Sequence, residues 1–378
     1  MMWKVQLFKL NYDERERNAA ADVVAGGWLT MGERITAFET QFEQLLGGNI
    51  QCTAVANGTA ALHMALLGLD VGPGDEVIIP ALTFVADANV VGLVGAKAVA
   101  ADCTSIDNWN MSAETIARCI TSKTKAVMVV HYAGFPCDMA PIAALCLEKG
   151  IPLIEDVAHA PGASIGGRAC GAWGAVGCFS FFSNKNIAVG EGGMVSVRDP
   201  LLHQRMRHLR SHGMSTLTLD RHLGRARTYD VVTPGLNYRM DEIRAALGSI
   251  QLDKLASANL RRGELSARYR HNLAGSRVAM PFAHMAADAV SAYHILPTLL
   301  PVGTNRDVVI DALKEQGIQS SIHYPPFWHF TAYKDKFNAA STPLTADIAL
   351  RELTMPLYPD MTDAEVDLVT TELLKVVE

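Results

Sequence analysis

The chain has 378 residues, 49% of them apolar, and a formal net charge of -6. That length buries a substantial core and is long for one domain but short for three. Lysines and arginines are scattered rather than gathered into runs, which argues against nucleic acid as a partner. The seven cysteines form no C-x-x-C pair and no histidine pair sits at zinc spacing, so reduced thiols and no metal are expected.

The first residues, MMWKVQLFKLNYDERERN, reach charge before an apolar stretch of signal-peptide length accumulates. No later run approaches the roughly 20 apolar residues of a membrane span, so a soluble, cytoplasmic protein is expected. WKVQLF reads as a strand. Residues 33–46 set Ile35, Phe38, Phe42, Leu45 and Leu46 at helical spacing, predicting an amphipathic helix on a surface of this chain or of a partner. Over 53–195 short apolar runs at 77–80, 98–100, 126–132, 152–156, 176–182 and 193–197 alternate with helical candidates at 60–69, 86–94 and 141–149. Parallel strands need crossovers, and right-handed crossovers lay helices on the sheet, so an α/β fold with a mainly parallel sheet between helices is predicted.

Residues 206–227, rich in His, Arg and Leu, read as a helix followed by an irregular excursion. A long helix is expected over 241–272, with a break near Ser257. A strand at 292–300, a helix at 306–316, the loop IHYPPF and a closing helix at 362–377 suit a small C-terminal α+β domain. The expected division is 1–250 for the large domain, whose N-terminal segment can pack on the small one, and 251–378 for the small domain. No flexible linker or repeat separates them.

Three segments carry chemistry. IEDVAHAPGA puts Asp156 at the end of a buried strand, and the carboxyl edge of an open α/β sheet is where ligands bind. Taken alone, such an aspartate equally caps a helix. CFSFFSNKNIAVGEGGMV delivers Ser180 and then Lys185 ahead of Gly190, Gly192 and Gly193. A lone lysine is usually a solvated charge, but one following an aromatic strand is buried, and burial lowers its pKa from about 10.4 and makes the amine a nucleophile toward an aldehyde. VANGTAALHMALL opens a helix at Asn57, Gly58 and Thr59, where unbonded N–H groups form either a phosphate site or an ordinary capped start. A phosphate cradle, an acid and an amine are the three grips that pyridoxal 5'-phosphate (PLP) requires.

From GGWLTMG at 26–32 through NGTAALHMAL, PALTFVADANVV, VVHYAGFPCDM, EDVAHAPGA, FSFFSNKNIAVGEGG, RSHGM and GLNYRMDEIRAALGSIQL to IHYPPF, the chain resembles the DegT/DnrJ/StrS family of sugar aminotransferases, which are fold-type-I PLP enzymes. The resemblance implies that Lys185 holds PLP as a Schiff base and that Asp156 pairs with the pyridine nitrogen, keeping the ring an electron sink. It also implies that His159, where many relatives carry Gln, lies near the ring 3-hydroxyl and donates a hydrogen bond, and that Phe84 covers one ring face. Gly58, Thr59 and Ser180 would hold the phosphate, joined by Asn237 from a partner subunit, hence a homodimer with shared sites. Apart from the resemblance, Asn237 is a turn residue after Pro234 and Gly235. His212 and His323 lie in segments that resemble substrate-facing ones, although an exposed or core-satisfied histidine fits either position.

Ala133 and Phe135 stand where relatives often have Tyr and Gln, and SNK replaces a Pro-containing run, so the pocket departs in shape from its relatives. The implied activity moves an amino group from an amino acid, L-glutamate, to a nucleotide-linked keto sugar by way of pyridoxamine 5'-phosphate. The same motifs suit a keto-cyclitol aminotransferase. A PLP-dependent sugar dehydratase is disfavoured, because such relatives replace the lysine with His. A noncatalytic PLP-binding protein would leave the retained lysine, aspartate and cradle unexplained. No strand leads into G-x-G-x-x-G, which disfavours a nicotinamide-dependent dehydrogenase.

Overall fold

The computed structural model describes residues 3–216, 224–334, 336–337 and 339–378. Helices α1 (Glu14–Gly26) and α2 (Glu33–Leu46) precede β1 (Gln51–Val55), α3 (Gly58–Gly68), β2 (Glu76–Pro80), α4 (Ala86–Leu93), β3 (Lys97–Ala101), α5 (Ala113–Ala117) and β4 (Thr124–Val130). Then come α6 (Met139–Lys149), β5 (Leu153–Asp156), the two-residue strands β6 (Ser164–Ile165) and β7 (Arg168–Ala169), β8 (Val176–Ser180), β9 (Gly193–Val197) and α7 (Pro200–Arg210). The C-terminal part holds α8 (Glu242–Asn272), β10 (Leu296–Leu299), α9 (Arg306–Glu315), α10 (Pro343–Arg351), β11 (Glu352–Met355) and α11 (Asp363–Val377).

Seven strands form one sheet in the order β1-β9-β8-β5-β4-β2-β3, in which β9 runs against both neighbours and the other pairings are parallel. Side chains alternate between the two faces. Val77 and Ile79 pack with Leu66, Val90 and Met206 on one side, whereas Ile78 packs with Ile116, Ile142 and Cys146 on the other. Every residue of β2 and β9 is buried, as a sheet covered on both faces requires. On the second side α2 buries Ile35, Phe38, Phe42 and Leu46, its Phe42 ring standing edge-on to Phe179 at 4.8 Å. No side chain of α2's own N-terminus caps it. Glu242 does so instead, accepting the N–H groups of Gly32 and Ile35 on Oε1 and of Arg34 on Oε2 at 2.9–3.0 Å.

Helix α8 runs through residues 250–251 and past Ser257 without the expected break. The Ser257 hydroxyl donates to Lys254 O at 3.0 Å, so its polar group is satisfied on the helix itself. One end of α8 sets Ala245 and Leu255 in the α2 core, and the other sets Leu265 and Tyr269 against Leu296, Leu353, Leu313 and Leu373. WKVQLF forms no strand. Val5 makes one bridge to Ile318 and packs into that C-terminal core, but the Leu7 N–H turns to the Gln319 side chain and pairing stops. Of the His- and Arg-rich stretch, the helical part ends at Arg210, and 217–223 lie outside the described residues. Among the described residues no helix is long and apolar enough to cross a membrane.

Candidate active site

The carboxyl edge of the parallel strands gathers the chemistry. Strand β5 ends on Asp156, which stands in register with Val130 of β4 and Cys178 of β8. Its side chain is buried and Oδ1 accepts the Ala158 N–H at 2.8 Å. Strand β8 ends on Ser180, and the turn toward β9 carries Lys185, whose N–H donates to Phe182 O at 2.8 Å. Next to it, Asn57 caps α3 by accepting the Ala60 N–H at 2.8 Å. A Cβ on Gly58 would lie 2.8 Å from the Ser180 Cβ, so the start of α3 and the end of β8 approach this closely only because position 58 lacks a side chain.

Burial pulls the Lys185 amine down to about 8, against the Asp156 carboxylate, which holds it up. Burial raises Asp156 in turn, offset by the Ala158 N–H and by the charge of Lys185. Asp87 of α4 is a second buried carboxyl here, with the Thr83 hydroxyl donating to Oδ2 at 2.5 Å. Burial and then the charge of Asp156 push Asp87 well above the carboxylate range. Asp87 and Asp156 are thus two buried carboxyls at one sheet edge, each raised above the ordinary carboxylate value first of all by burial.

Three histidines surround the amine. His159 accepts the Ala133 N–H on Nδ1 at 3.2 Å, so its proton is on Nε2, which donates to the Tyr324 hydroxyl at 2.8 Å. The His294 ring centroid is 4.5 Å from that of His159, and its Nε2 is 3.5 Å from Lys185 Nζ. His323 sets Nδ1 2.9 Å from Thr354 Oγ1 and donates its N–H to Glu352 Oε2 at 2.8 Å, while the Tyr132 hydroxyl donates to its carbonyl. Burial first and the Lys185 charge second drive His159 and His294 well below the ordinary imidazole value and His323 to about 3. All three are neutral at physiological pH.

The sequence matches the model of the DegT/DnrJ/EryC1/StrS aminotransferase family over residues 11–374. The chain belongs to this family. Among solved structures it is similar to the aminotransferase TlmJ from Streptoalloteichus hindustanus, with 32% identity, a TM-score of 0.90 and 99% of this chain and 98% of that one covered. Spr1654 from Streptococcus pneumoniae, named as a sugar aminotransferase and solved in a PMP form, is 29% identical, with a TM-score of 0.90 over 100% and 98% of the two chains. Helicobacter pylori PseC, an aminotransferase of pseudoaminic acid biosynthesis, is 26% identical over 100% and 99%, again with a TM-score of 0.90. The fold is that of fold-type-I enzymes, and the chain is a PLP-dependent aminotransferase.

The residues present fit that cofactor. An amine and a carboxyl face each other, and a helix N-terminus is left open toward Ser180 by a glycine that no other residue could replace without a clash. Of the residues read from the sequence, Lys185, Asp156, His159 and His323 come together, and Gly58 meets Ser180. Thr59 is exposed beside Gly58. Phe84 is 54% exposed, its ring 5.5 Å from that of Tyr324. Asn237 is exposed on an extended segment bridged to Ser211, and the carbonyl of the next residue, Tyr238, accepts the Ala56 N–H at 2.8 Å, just before α3. His212 stands apart on an exposed turn, with φ 59° and its N–H on Leu236 O at 2.7 Å.

The Nε2–H of His159 is taken up by Tyr324, so the remaining donor of that pair is the tyrosine hydroxyl proton. Asp87, Tyr132, His294 and Tyr324 were not singled out by sequence. Asp87, Tyr132 and Tyr324 lie inside segments that carried the resemblance, which was their signal. His294 sits in the apolar run AYHILPTLL, where its spacing gives none.

Proposed function

We propose that this aminotransferase moves an amino group from L-glutamate to a nucleotide-linked keto sugar, working as a homodimer. The observation that carries the reading is the Lys185 amine, lowered to about 8 beside the buried Asp156 carboxyl at the sheet edge. Lys185 would bind PLP covalently, and Asp156 would face its pyridine nitrogen. Gly58, Thr59 and Ser180 would hold the phosphate, with the partner's Asn237 completing the cradle. Phe84 would cover the ring, and His159 with Tyr324 would face the 3-hydroxyl.

When bound, PLP supplies an aldehyde that takes up amino groups and a ring that withdraws electrons from the substrate carbon. Asp156 would offer its carboxylate to a ring N–H, the Ala158 N–H and the charge of Lys185 favouring its ionised form. A pKa near 8 leaves Nζ of Lys185 able to take the proton from the donor's α-carbon and return it at the neighbouring position, because both protonation states are populated near neutrality. His159, His294 and His323, all neutral, bring hydrogen-bonding atoms rather than charge to the site. Similarity to PseC and Spr1654 supports a sugar as acceptor.

Borohydride treatment of the holoprotein should leave a pyridoxyl group on the Lys185 peptide and none in Lys185→Ala. Loading with glutamate should bleach the cofactor's visible band, and a nucleotide-linked keto sugar should restore it. Faster restoration by keto-inositols would transfer the assignment to a cyclitol, and an active Lys185→Ala would overturn the catalytic role.

A further inference from the structure

A buried chain of hydrogen bonds ending on Lys185 has its direction fixed by two backbone carbonyls. Asn259 Nδ2 is 3.0 Å from Pro161 O, and Asn186 Nδ2 is 2.7 Å from Ala292 O. A carbonyl oxygen only accepts, so neither amide can be turned over without setting oxygen against oxygen. Asn259 therefore presents Oδ1 to Asn186 Nδ2 at 2.7 Å, and Asn186 presents Oδ1 to His294 Nδ1 at 2.9 Å. An amide oxygen requires a donor, so the neutral imidazole carries its proton on Nδ1 and leaves a lone pair on Nε2, 3.5 Å from Lys185 Nζ. The ring is held in place by more than this contact. His294 is buried, its carbonyl accepts Arg262 Nη1 at 3.1 Å, and its N–H donates to Ala133 O at 2.8 Å.

We infer that His294 is a positioning residue for Lys185, accepting one Nζ hydrogen on Nε2 and so turning the amine lone pair away from the imidazole toward the incoming aldehyde. The opposite tautomer would donate Nε2–H into that lone pair and block the nucleophile. The inference rests on the reading that Lys185 captures PLP. In that capture Nζ forms a C=N bond, and the two amine hydrogens leave with the aldehyde oxygen as water, one of them being the hydrogen held by His294. The titratable groups facing Nζ are Asp156, His159, His323 and His294 itself. Those facing His294 are Lys185, His159, His323 and Arg262. Burial keeps the His294 ring neutral among them.

The test begins with the unmodified full-length protein loaded with pyridoxamine 5'-phosphate, in which Lys185 is a free amine. Ring nitrogen NMR of histidine-labelled protein, assigned with His294→Gln, should show the proton on Nδ1 and an unprotonated Nε2. A proton on Nε2, or a charged ring, would overturn the inference. In cofactor-stripped protein, PLP capture at Lys185 is then followed by borohydride trapping and mass spectrometry across pH. His294→Phe should slow capture by about tenfold or more, because the amine loses its orientation, and its midpoint should move about one pH unit toward acid as the acceptor for the ammonium form is lost. His294→Gln, which can donate to Asn186 and present Oε1 to Nζ, should recover most of the rate. Equal rates in the Phe and Gln variants, or a Phe variant as fast as the parent, would refute positioning. No adduct on the parent protein would instead strike down the Lys185 reading, a separable result.

Discussion

Replacing Lys185 with Met keeps an unbranched side chain of similar reach and removes the amine, which turns the electrostatics of the site into a stability measurement. Burial lowers this lysine from 10.5 to about 8, a drop of about 2.5 that corresponds to about 3 kcal/mol of unfavourable charge burial. That shift is already net of the attraction to Asp156, so Lys185→Met is expected to gain up to about 3 kcal/mol at pH 7. The folded pKa lies below the unfolded one, so between about pH 8 and 10.5 the unfolded chain binds more protons and the parent's stability rises with pH. Below pH 8 the penalty is complete. Urea unfolding of the two cofactor-free proteins should therefore show Lys185→Met ahead at pH 7 and the gap closing toward pH 10.5. A parent at least as stable at pH 7, or a gap indifferent to pH, would refute the claim that Lys185 is held in a dry site.

Glu155 is fully buried and accepts four hydrogen bonds, from Trp173 N and Gly174 N on Oε1 and from Gly171 N and His131 Nε2 on Oε2, at 2.7–3.0 Å. Glu155→Gln sets an amide N–H2 against donors, and urea unfolding should show a loss of about 2–4 kcal/mol. Gly58→Ala should weaken PLP binding, read by titration of the visible band, by tenfold or more while shifting the unfolding midpoint of the cofactor-free protein much less, since the clash falls on Ser180 at the cradle.

The sheet was legible because buried parallel strands leave short apolar runs between helices, and the predicted runs at 77–80, 152–156 and 193–197 are strands β2, β5 and β9. Helix α2 was legible to the residue, since Ile35, Phe38, Phe42 and Leu46 fall on one stripe. Helix α1 was not, because its buried residues are Val23 and a charged Glu16, held by Lys254 Nζ at 2.6 Å. An ion pair with a residue over 200 positions away leaves no period to detect. WKVQLF misled for the converse reason: its alternation reflects one buried residue, Val5, in a core made mostly by the C-terminal part. Lys185 and Asp156 were readable from the strand ends that carry them. The three-histidine surround was not, since His159, His294 and His323 meet only when the C-terminal part covers the sheet edge.

That covering also makes the lysine reactive. The turn that carries Lys185 is flanked by the exposed Phe182 and Gly190. The groups that press on the amine come from after β5, from the approach to β10 and from the loop before α10, namely His159, His294 and His323. Two of these three lie beyond residue 290, so the C-terminal part supplies groups that pack around the amine. Any change that loosened the seam between His294 and the sheet edge, such as loss of the Arg262 bond to the His294 carbonyl, would readmit water to Nζ and raise its pKa toward that of an ordinary lysine. The amine would then be protonated at neutral pH and unable to attack, although every residue of the lysine's own motif remained in place.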